Sequence, residues 1–398
     1  MSEQDSNKNL PLSGIRVVEF THMVMGPSAG LVLADLGAEV IKIEPIKGDN
    51  TRRLKGSGAG YFPMYNRNKQ SLCLDLKDEA GQKIALQLID KADVLIENFR
   101  PGAMDKLGFA YEQLRLRNSR LIYCSLKGFL DGPYQHRTAL DEVTQMMGGL
   151  AYMTGLPGKP MRAGSSVIDI TGGMFGAIAI LAALEERHRT GTGQLVKSSL
   201  FESTAFMVGQ HMAQQAVSGL PLQPMSVRTS AWAVYDIFDT CDDEQVFVGV
   251  VSDTQWAIFC QAFALAEFAE DASLALNNER VAQRDRIMPV IRQCLGAMTK
   301  QQLMSKLDQT GLPFAPIASP SDLFDDPHLN AGGGLVEISL PDNGGKARLP
   351  GLPIDLAGRR LGLRQDLPTE GEHSHAALLS IGYSEEQIQA LRSAGVVR

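Results

Sequence analysis

The nonapeptide SSVIDITGG, residues 165–173, presents one carboxylate, Asp169, behind an apolar approach of Val167 and Ile168, and follows it with a Thr and two glycines. An apolar run, MFGAIAILAALEE, begins directly afterwards. Two chemistries fit such an aspartate. As a helix cap, its oxygen accepts hydrogen bonds from the first backbone amides and suits the positive end of the helix dipole. As a nucleophile, it needs to be ionised, which a helix start favours, and it needs room, which Gly172 and Gly173 offer to a ligand approaching the backbone. The nonapeptide alone does not separate these uses.

Few other residues compete for chemistry. His373 and His375 in GEHSHAALL are closely spaced, but the nearby carboxylates are loosely placed, and a solvated helix start explains the pair better than a metal site. Cysteines at 73, 124, 241, 260 and 294 are odd in number and form no CxxC pair. They point to a reduced, cytoplasmic chain with no cysteine metal site. The turn after the first apolar strand, THMVMGPSAG, holds no GxGxxG, which argues against a nicotinamide or flavin enzyme of the usual doubly wound kind. No P-loop, HExxH or GxSxG occurs either.

The elements that must position Asp169 alternate in type. GIRVVEF (14–20), AEVIKIE (38–44), DVLIENF (93–99) and RLIYCSLKGF (120–129) are short, β-branched and strand-like. GPSAGLVLADLG and the amphipathic DEAGQKIALQLIDKA (78–92) are helical. Strand–helix–strand units give a parallel sheet, and such sheets bind ligands at the carboxyl ends of their strands. The loops after Phe20, Phe99 and Lys127 are therefore the places for a site. EERHRTGTGQLVKSSL (185–200) joins a charged helix end to a glycine turn and another strand.

Beyond that point the pattern changes. Residues 225–320 combine a hairpin, VYDIFDTCDDEQVFVGVV, with several helices, including VAQRDRIMPVIRQCLGAMTKQQLMSKL, and form a smaller α+β domain. Residues 10–200 are then the first part of a large α/β domain, to which 330–398 returns with strand-rich LVEISL and ARLPGLPIDL. A last helix, SEEQIQALRSAG, opens with a capping box at Ser384. The length of 398 residues calls for two domains or one with a large insertion. At 44% hydrophobic and 21% charged, with a formal net charge of −7, the composition is globular and argues against a nucleic-acid binder. The N-terminal MSEQDSNKNLPLSG lacks the pattern of a signal peptide, and the apolar run Met174–Leu184 is too short to cross a bilayer.

Six stretches in register carry a resemblance: GIRVVEFTHMVMGPSAGLVLADLGAEVIKIEPIKGDNTR, NRNKQSLCLDLKDEAG, ADVLIENFRPGAMDKLGF, NSRLIYCSLKGF, ILAALEERHRTGTGQLVKSSLFES and GEHSHAALLSIGYSEEQI. Together they resemble the class III coenzyme A transferases, the CaiB/BaiF family that includes formyl-CoA transferase. The resemblance implies a Rossmann-like large domain built from both chain ends, a small domain between, and two ring-shaped subunits interlocked as a homodimer. It implies a CoA thioester as substrate, with no permanently bound cofactor and no metal. It also places the family's catalytic carboxylate at Asp169, ahead of the segment holding Glu186, His188 and Thr190 to Gln194. There the carboxylate would carry the acyl group through mixed anhydrides and an aspartyl-CoA thioester.

For CoA, the resemblance implies His22 and Met25 lining the site and Leu74 to Lys77 approaching the adenine. Asn98, Phe99 and Arg100 would hold pantetheine or phosphates, with Lys106 and Arg137 in further CoA-contacting segments. Formyl-CoA transferase shields its intermediates with a glycine-rich loop, in whose place this chain has SVRTSAWAVYD (226–236). The family member using formate and oxalate carries Gln where Val24 stands and Arg where Pro45 stands, so those roles do not transfer. Racemases of 2-methylacyl-CoA share the fold and the Asp position, but their Gly-His-Asp segment is Ala139, Leu140, Asp141 here, and the proton-transferring His is missing. His136, Arg162 and Arg228 could meet a second carboxylate. The overall resemblance is to branches using small dicarboxylic acids, which implies succinyl-CoA as donor and an acceptor such as itaconate, mesaconate or citramalate, ahead of carnitine-like or other monocarboxylates.

Overall fold

The computed structural model describes residues 10–228, 230–340 and 344–398. The polar N-terminal stretch read above lies outside them as far as residue 9, as does Thr229 in the 226–236 segment. Two compact units result: residues up to Ser226 with Pro327–Arg398, and Val227–Asp326.

In the larger unit six parallel strands lie in the order β3-β2-β1-β4-β5-β6: β1 Arg16–Phe20, β2 Glu39–Glu44, β3 Lys69–Cys73, β4 Val94–Glu97, β5 Ile122–Lys127 and β6 Leu195–Ser199. The order reverses between β1 and β4, and the crevice beyond the carboxyl ends at such a reversal is where doubly wound sheets bind ligands. Successive side chains of a strand face opposite ways, so Val17 and Val18 enter different cores. On Val17's face lie helix α1 (Met25–Asp35) and the long helix Val167–Thr190. On Val18's face lie Ile84 and Leu88 of the helix Glu79–Asp90, and here the chain's end returns through Leu378, Ile388 and Val397. The large unit is thus Rossmann-like and drawn from both ends of the chain.

Strand β3 is the element the sequence pattern conceals. Lys69, Gln70 and Ser71 look like loop, yet Lys69 is wholly buried because Glu19 of β1 meets its ammonium at 2.9 Å. A charge enters a core when it is paired. The helix Val167–Thr190 spans 24 residues and is long and apolar enough to cross a membrane, which corrects the shorter span read from sequence. Its buried face, including Gly172, Gly173, Gly176 and Ile180, packs inside the sheet unit. The returning strand pairs Leu335–Ser339 with Lys346–Pro350 and Asp355–Leu356 with Arg359–Arg360 are small antiparallel sheets and do not widen the main one. The last helix, Glu385–Ser393, is closed by the expected box, Ser384 with Gln387.

The smaller unit has its own core around Phe238, Val246, Phe259 and Ile291. Its hairpin, Tyr235–Asp239 with Gln245–Gly249, gains a third strand, Phe314–Pro316. The stretch from Val281 ends one helix, Asn277–Ala282, and continues as two more, Arg284–Gly296 and Lys300–Asp308, the last capped by Thr299 with Gln302.

Candidate active site

The strands β1 and β4 end side by side, and the loops beyond them are joined. Asn98 Oδ1 accepts from the His22 amide at 3.0 Å, and Asn98 Nδ2 donates to the His22 carbonyl at 2.9 Å. The His22 ring meets Phe99 edge-on at 5.8 Å between centroids. Phe99 is held in turn by Lys127 at the end of β5, whose Nζ donates to its carbonyl at 2.6 Å and also binds Glu97. His22, Asn98 and Phe99 therefore form one cluster at the reversal of strand order.

Beside this cluster the starts of two helices adjoin: α1, and the helix carrying Asp169, here α2 (Val167–Thr190). A Cβ at Gly172 would come within 2.7 Å of Met25 Cε, and one at Gly173 within 2.0 Å of Ser28 Oγ and 2.5 Å of the Met25 carbonyl oxygen. The two glycines therefore serve the contact between helices. They do not open the backbone to a ligand, as the sequence reading had it.

The question of the cap is answered by a different residue. Asp141, buried at the start of the short helix Asp141–Met147, accepts through Oδ2 from the amides of Ile168 at 2.8 Å and Asp169 at 3.0 Å. Its other oxygen accepts from Gln145, and the Gln145 Oε1 accepts from the Ala163 amide at 2.8 Å. Asp141 caps α2, and among the described residues no group hydrogen-bonds the Asp169 carboxylate. Burial first, and the Asp141 charge second, push the Asp169 pKa up to about 7, with Arg162 opposing. Burial and a like charge thus oppose the ionisation that a helix start favours. Burial first, and the nearby Asp169 charge second, raise the Tyr65 phenol to about 12.

The other candidate residues divide by environment. Lys77, Arg100 and Lys106 are exposed, and among the described residues no ion pair engages their side chains. The Arg137 guanidinium lies over the Tyr134 ring at 5.1 Å and near Phe129 at 5.9 Å. His136 is exposed beside Gln135. Arg162 pairs with Glu142 while its charge still reaches Asp169. Met25 and Leu74 are buried in opposite cores: Met25 packs on Gly172, and the Leu74 backbone bridges to Val397. Arg228 belongs to the smaller unit.

The segment from Glu186 to Gln194 closes the turn from α2 into β6, where Gln194 Nε2 donates to Glu186 at 2.7 Å and buried Arg187 meets Asp93 at 2.9 Å. It is structural. His373 is half-buried, and its Nδ1 accepts from the Ser71 amide at 3.3 Å, so it braces β3 instead of standing in solvent. His375 pairs with Glu385 at 2.7 Å, and no metal-binding group occurs among the described residues. Sequence reasoning missed Tyr65 altogether and met Asp141 only as the end of an altered racemase segment. Neither lies near Asp169 in the chain, and their roles arise on folding.

Known proteins match this chain over nearly its whole length. The model of CoA-transferase family III matches residues 12–374. A succinate–glutarate CoA-transferase of Agrobacterium fabrum is 33% identical, covering 94% of this chain and 96% of that protein. An acetyl-CoA:oxalate CoA-transferase of Acetobacter aceti is 35% identical over 87% of this chain and 90% of its own length. The crystal structure of a CaiB/BaiF family protein from Brucella suis superimposes with a TM-score of 0.81 at 32% identity, covering 94% of this chain and 100% of that one. With the sheet, the helix starts and these relatives in agreement, the chain belongs to CoA-transferase family III and is an enzyme that transfers CoA.

Proposed function

We propose that Asp169 is the acyl carrier of a transfer that moves CoA from an acyl-CoA, with succinyl-CoA the favoured donor, to a small free dicarboxylic acid. The observation that carries this reading is a carboxylate at the carboxyl edge of the sheet, released from capping by Asp141 and left without a hydrogen-bonding partner among the described residues. An Asp169 oxygen attacks the thioester carbonyl, the C–S bond breaks, and CoA thiolate leaves behind a mixed anhydride. The thiolate attacks the Asp169 side-chain carbonyl, expels the donor acid and forms an aspartyl-CoA thioester. The acceptor carboxylate opens that thioester to a second anhydride, and returning thiolate attacks the acceptor's acyl carbon and frees Asp169. Tyr65, protonated throughout the neutral range, is a candidate donor to the oxyanions formed on the way.

The nucleotide end of CoA is assigned to the loops after β1, β3 and β4. His22, Asn98 and Phe99 face the pantetheine, while Lys77, Arg100, Lys106 and Arg137 supply phosphate contacts. The exposure of these cations, with no ion pair on Lys77, Arg100 or Lys106 among the described residues, supports this assignment in a chain that is acidic overall. Arg162 and His136 are assigned to the acceptor's second carboxylate, in keeping with the glutarate and oxalate named for relatives. Leu140, where a racemase has its His, is exposed and offers no base, so proton transfer at the α-carbon has no support. The interlocked homodimer is proposed with the enzyme, supported by exposed Met174 and Ile178 on α2 and by exposed Phe206, Met212 and Val217 beyond it. A cytoplasmic setting is proposed on the five free cysteines.

Incubation with succinyl-CoA and a panel of free acids, read as acyl-CoA products by mass, tests this reading. The panel holds glutarate, itaconate, mesaconate, citramalate, oxalate and carnitine-like monoacids. Preferred dicarboxylate products are expected. A preference for monoacids overturns the substrate assignment, and a hydroxylamine adduct on any peptide other than that of Asp169 overturns the mechanism.

A further inference from the structure

The loop that carries His22 is held from below by charges that never reach solvent. Lys42, on β2, donates through Nζ to the Thr21 carbonyl at 2.6 Å. Lys69, on β3, donates to the Pro27 carbonyl at 2.8 Å. Both ammonium groups are wholly buried and share one carboxylate, Glu19 of β1, at 3.6 and 2.9 Å. Room for that carboxylate comes from α1: a Cβ at Gly30 would stand 1.7 Å from Glu19 Oε2. The two carbonyls held by the lysines bracket the segment from His22 to Gly26.

Within the bracket Met23 has φ +62°, a left-handed conformation that a long side chain adopts at an energetic disadvantage and keeps when its surroundings enforce it. The enforcing contact is Thr51, whose Oγ1 accepts from the Met23 amide at 3.0 Å. That hydroxyl donates to Asp49 Oδ1 at 2.8 Å, and Asp49 Oδ2 lies 3.1 Å from Lys42. One line of contacts therefore runs from Glu19 through Lys42, Asp49 and Thr51 to a strained backbone residue next to His22. Simple core burial does not require such an arrangement, since apolar side chains of similar volume stabilise a core at least as well as buried ion pairs.

We propose that this buried network, Glu19, Lys42, Lys69, Asp49 and Thr51, positions the His22–Gly26 segment for acyl-CoA, holding it in its binding conformation before the thioester arrives. Its members are positioning residues and touch no substrate. The proposal rests on the reading that this segment binds CoA. A loop already in its bound shape loses less conformational entropy on binding, so the network acts on acyl-CoA affinity more than on turnover.

Thr51→Val and Thr51→Ser test it, with His22→Ala as the control on the underlying reading. Thr51→Val keeps the shape and removes the acceptor for the Met23 amide. It should raise the acyl-CoA KM about tenfold and change kcat by less than about threefold. Thr51→Ser, which keeps the hydroxyl, should return KM to within about twofold of the parent. If His22→Ala raises KM and Thr51→Val does not, positioning is overturned and CoA binding at the segment stands. If His22→Ala leaves KM unchanged, both are overturned. Hydrogen exchange on the unaltered enzyme gives an answer that does not depend on a variant folding. The amides of His22 and Met23, which donate to Asn98 and Thr51, should be protected without acyl-CoA, and exchange there as fast as an open loop overturns the proposal.

Discussion

Two aspartates near the carboxyl edge of one sheet are treated in opposite ways. Asp49, in the loop after β2, is nearly buried, and burial alone would raise its pKa. The Lys42 ammonium and the Thr51 amide and hydroxyl outweigh that and hold the carboxyl below its ordinary range. Asp169 is more open, yet its pKa is raised to about 7, because burial is joined by the Asp141 charge and opposed only by Arg162. Pairing thus decides the sign and depth of burial does not. The paired carboxylate is spent on holding a loop, while the unpaired one remains available for chemistry.

The largest effect expected is on transfer. Asp169→Asn keeps the volume and removes the proposed nucleophile, so activity should fall by about a thousandfold or more with the fold retained. Stability should move the other way. An aspartate whose folded pKa exceeds its unfolded value near 3.9 binds a proton in the folded state that the unfolded chain has lost. Its contribution is present below about pH 4 and is lost as pH rises through about 7. The Asn variant should therefore be more stable than the parent at pH 8, by roughly 2 kcal/mol after allowance for partial exposure, and no more stable at pH 4. Denaturant unfolding at both pH values checks it, and an active Asn variant, cleared of deamidation, breaks the comparison.

Next in size is Asp49→Asn. Removing one partner of a buried pair leaves the other unbalanced, and about 3 kcal/mol of stability should be lost at pH 7. Because the Asp49 pKa is lowered, the sign is opposite to that of Asp169. Its contribution exists above the unfolded pKa near 3.9 and is lost as pH falls through the folded value, so the gap between variant and parent should close in acid. If both Asn variants shift stability in the same direction at pH 8, pairing does not distinguish the two sites.

The contrast also explains what could be read from sequence. β1, β2, β4 and β5 announce themselves as β-branched runs, since their apolar faces need no knowledge of neighbours. Lys69 in β3 does not, because its burial depends on Glu19, brought near only by strand pairing. The Asp169 position was legible through the apolar helix that follows it and through family resemblance. Its electrostatics were not, because Asp141 reaches α2 from a separate helix. Gly172 and Gly173 were visible, but whether a ligand or Met25 and Ser28 fill the space above them is settled only by packing. What sequence conceals here is partnership between charges and between close surfaces.

The smallest effect separates the two causes that raise the Asp169 pKa. Asp141→Asn keeps an oxygen for the Ile168 and Asp169 amides and so preserves the cap, whereas Asp141→Ala would remove it and displace the nucleophile as well. The Asn amide no longer repels the Asp169 charge, but it fits less well against the Gln145 donor, at about 1 kcal/mol of stability. With the like charge gone and burial unchanged, the midpoint for ionisation should fall by up to about one pH unit and stay above the ordinary aspartate value. The rate of anhydride formation, followed in single turnover as CoA thiol release, reports that midpoint because only the ionised carboxylate attacks. An unmoved midpoint would assign the whole shift to burial, and a fall to the ordinary value would assign it to Asp141 alone. Either result would replace the present order of causes, in which desolvation leads and the neighbouring carboxylate follows.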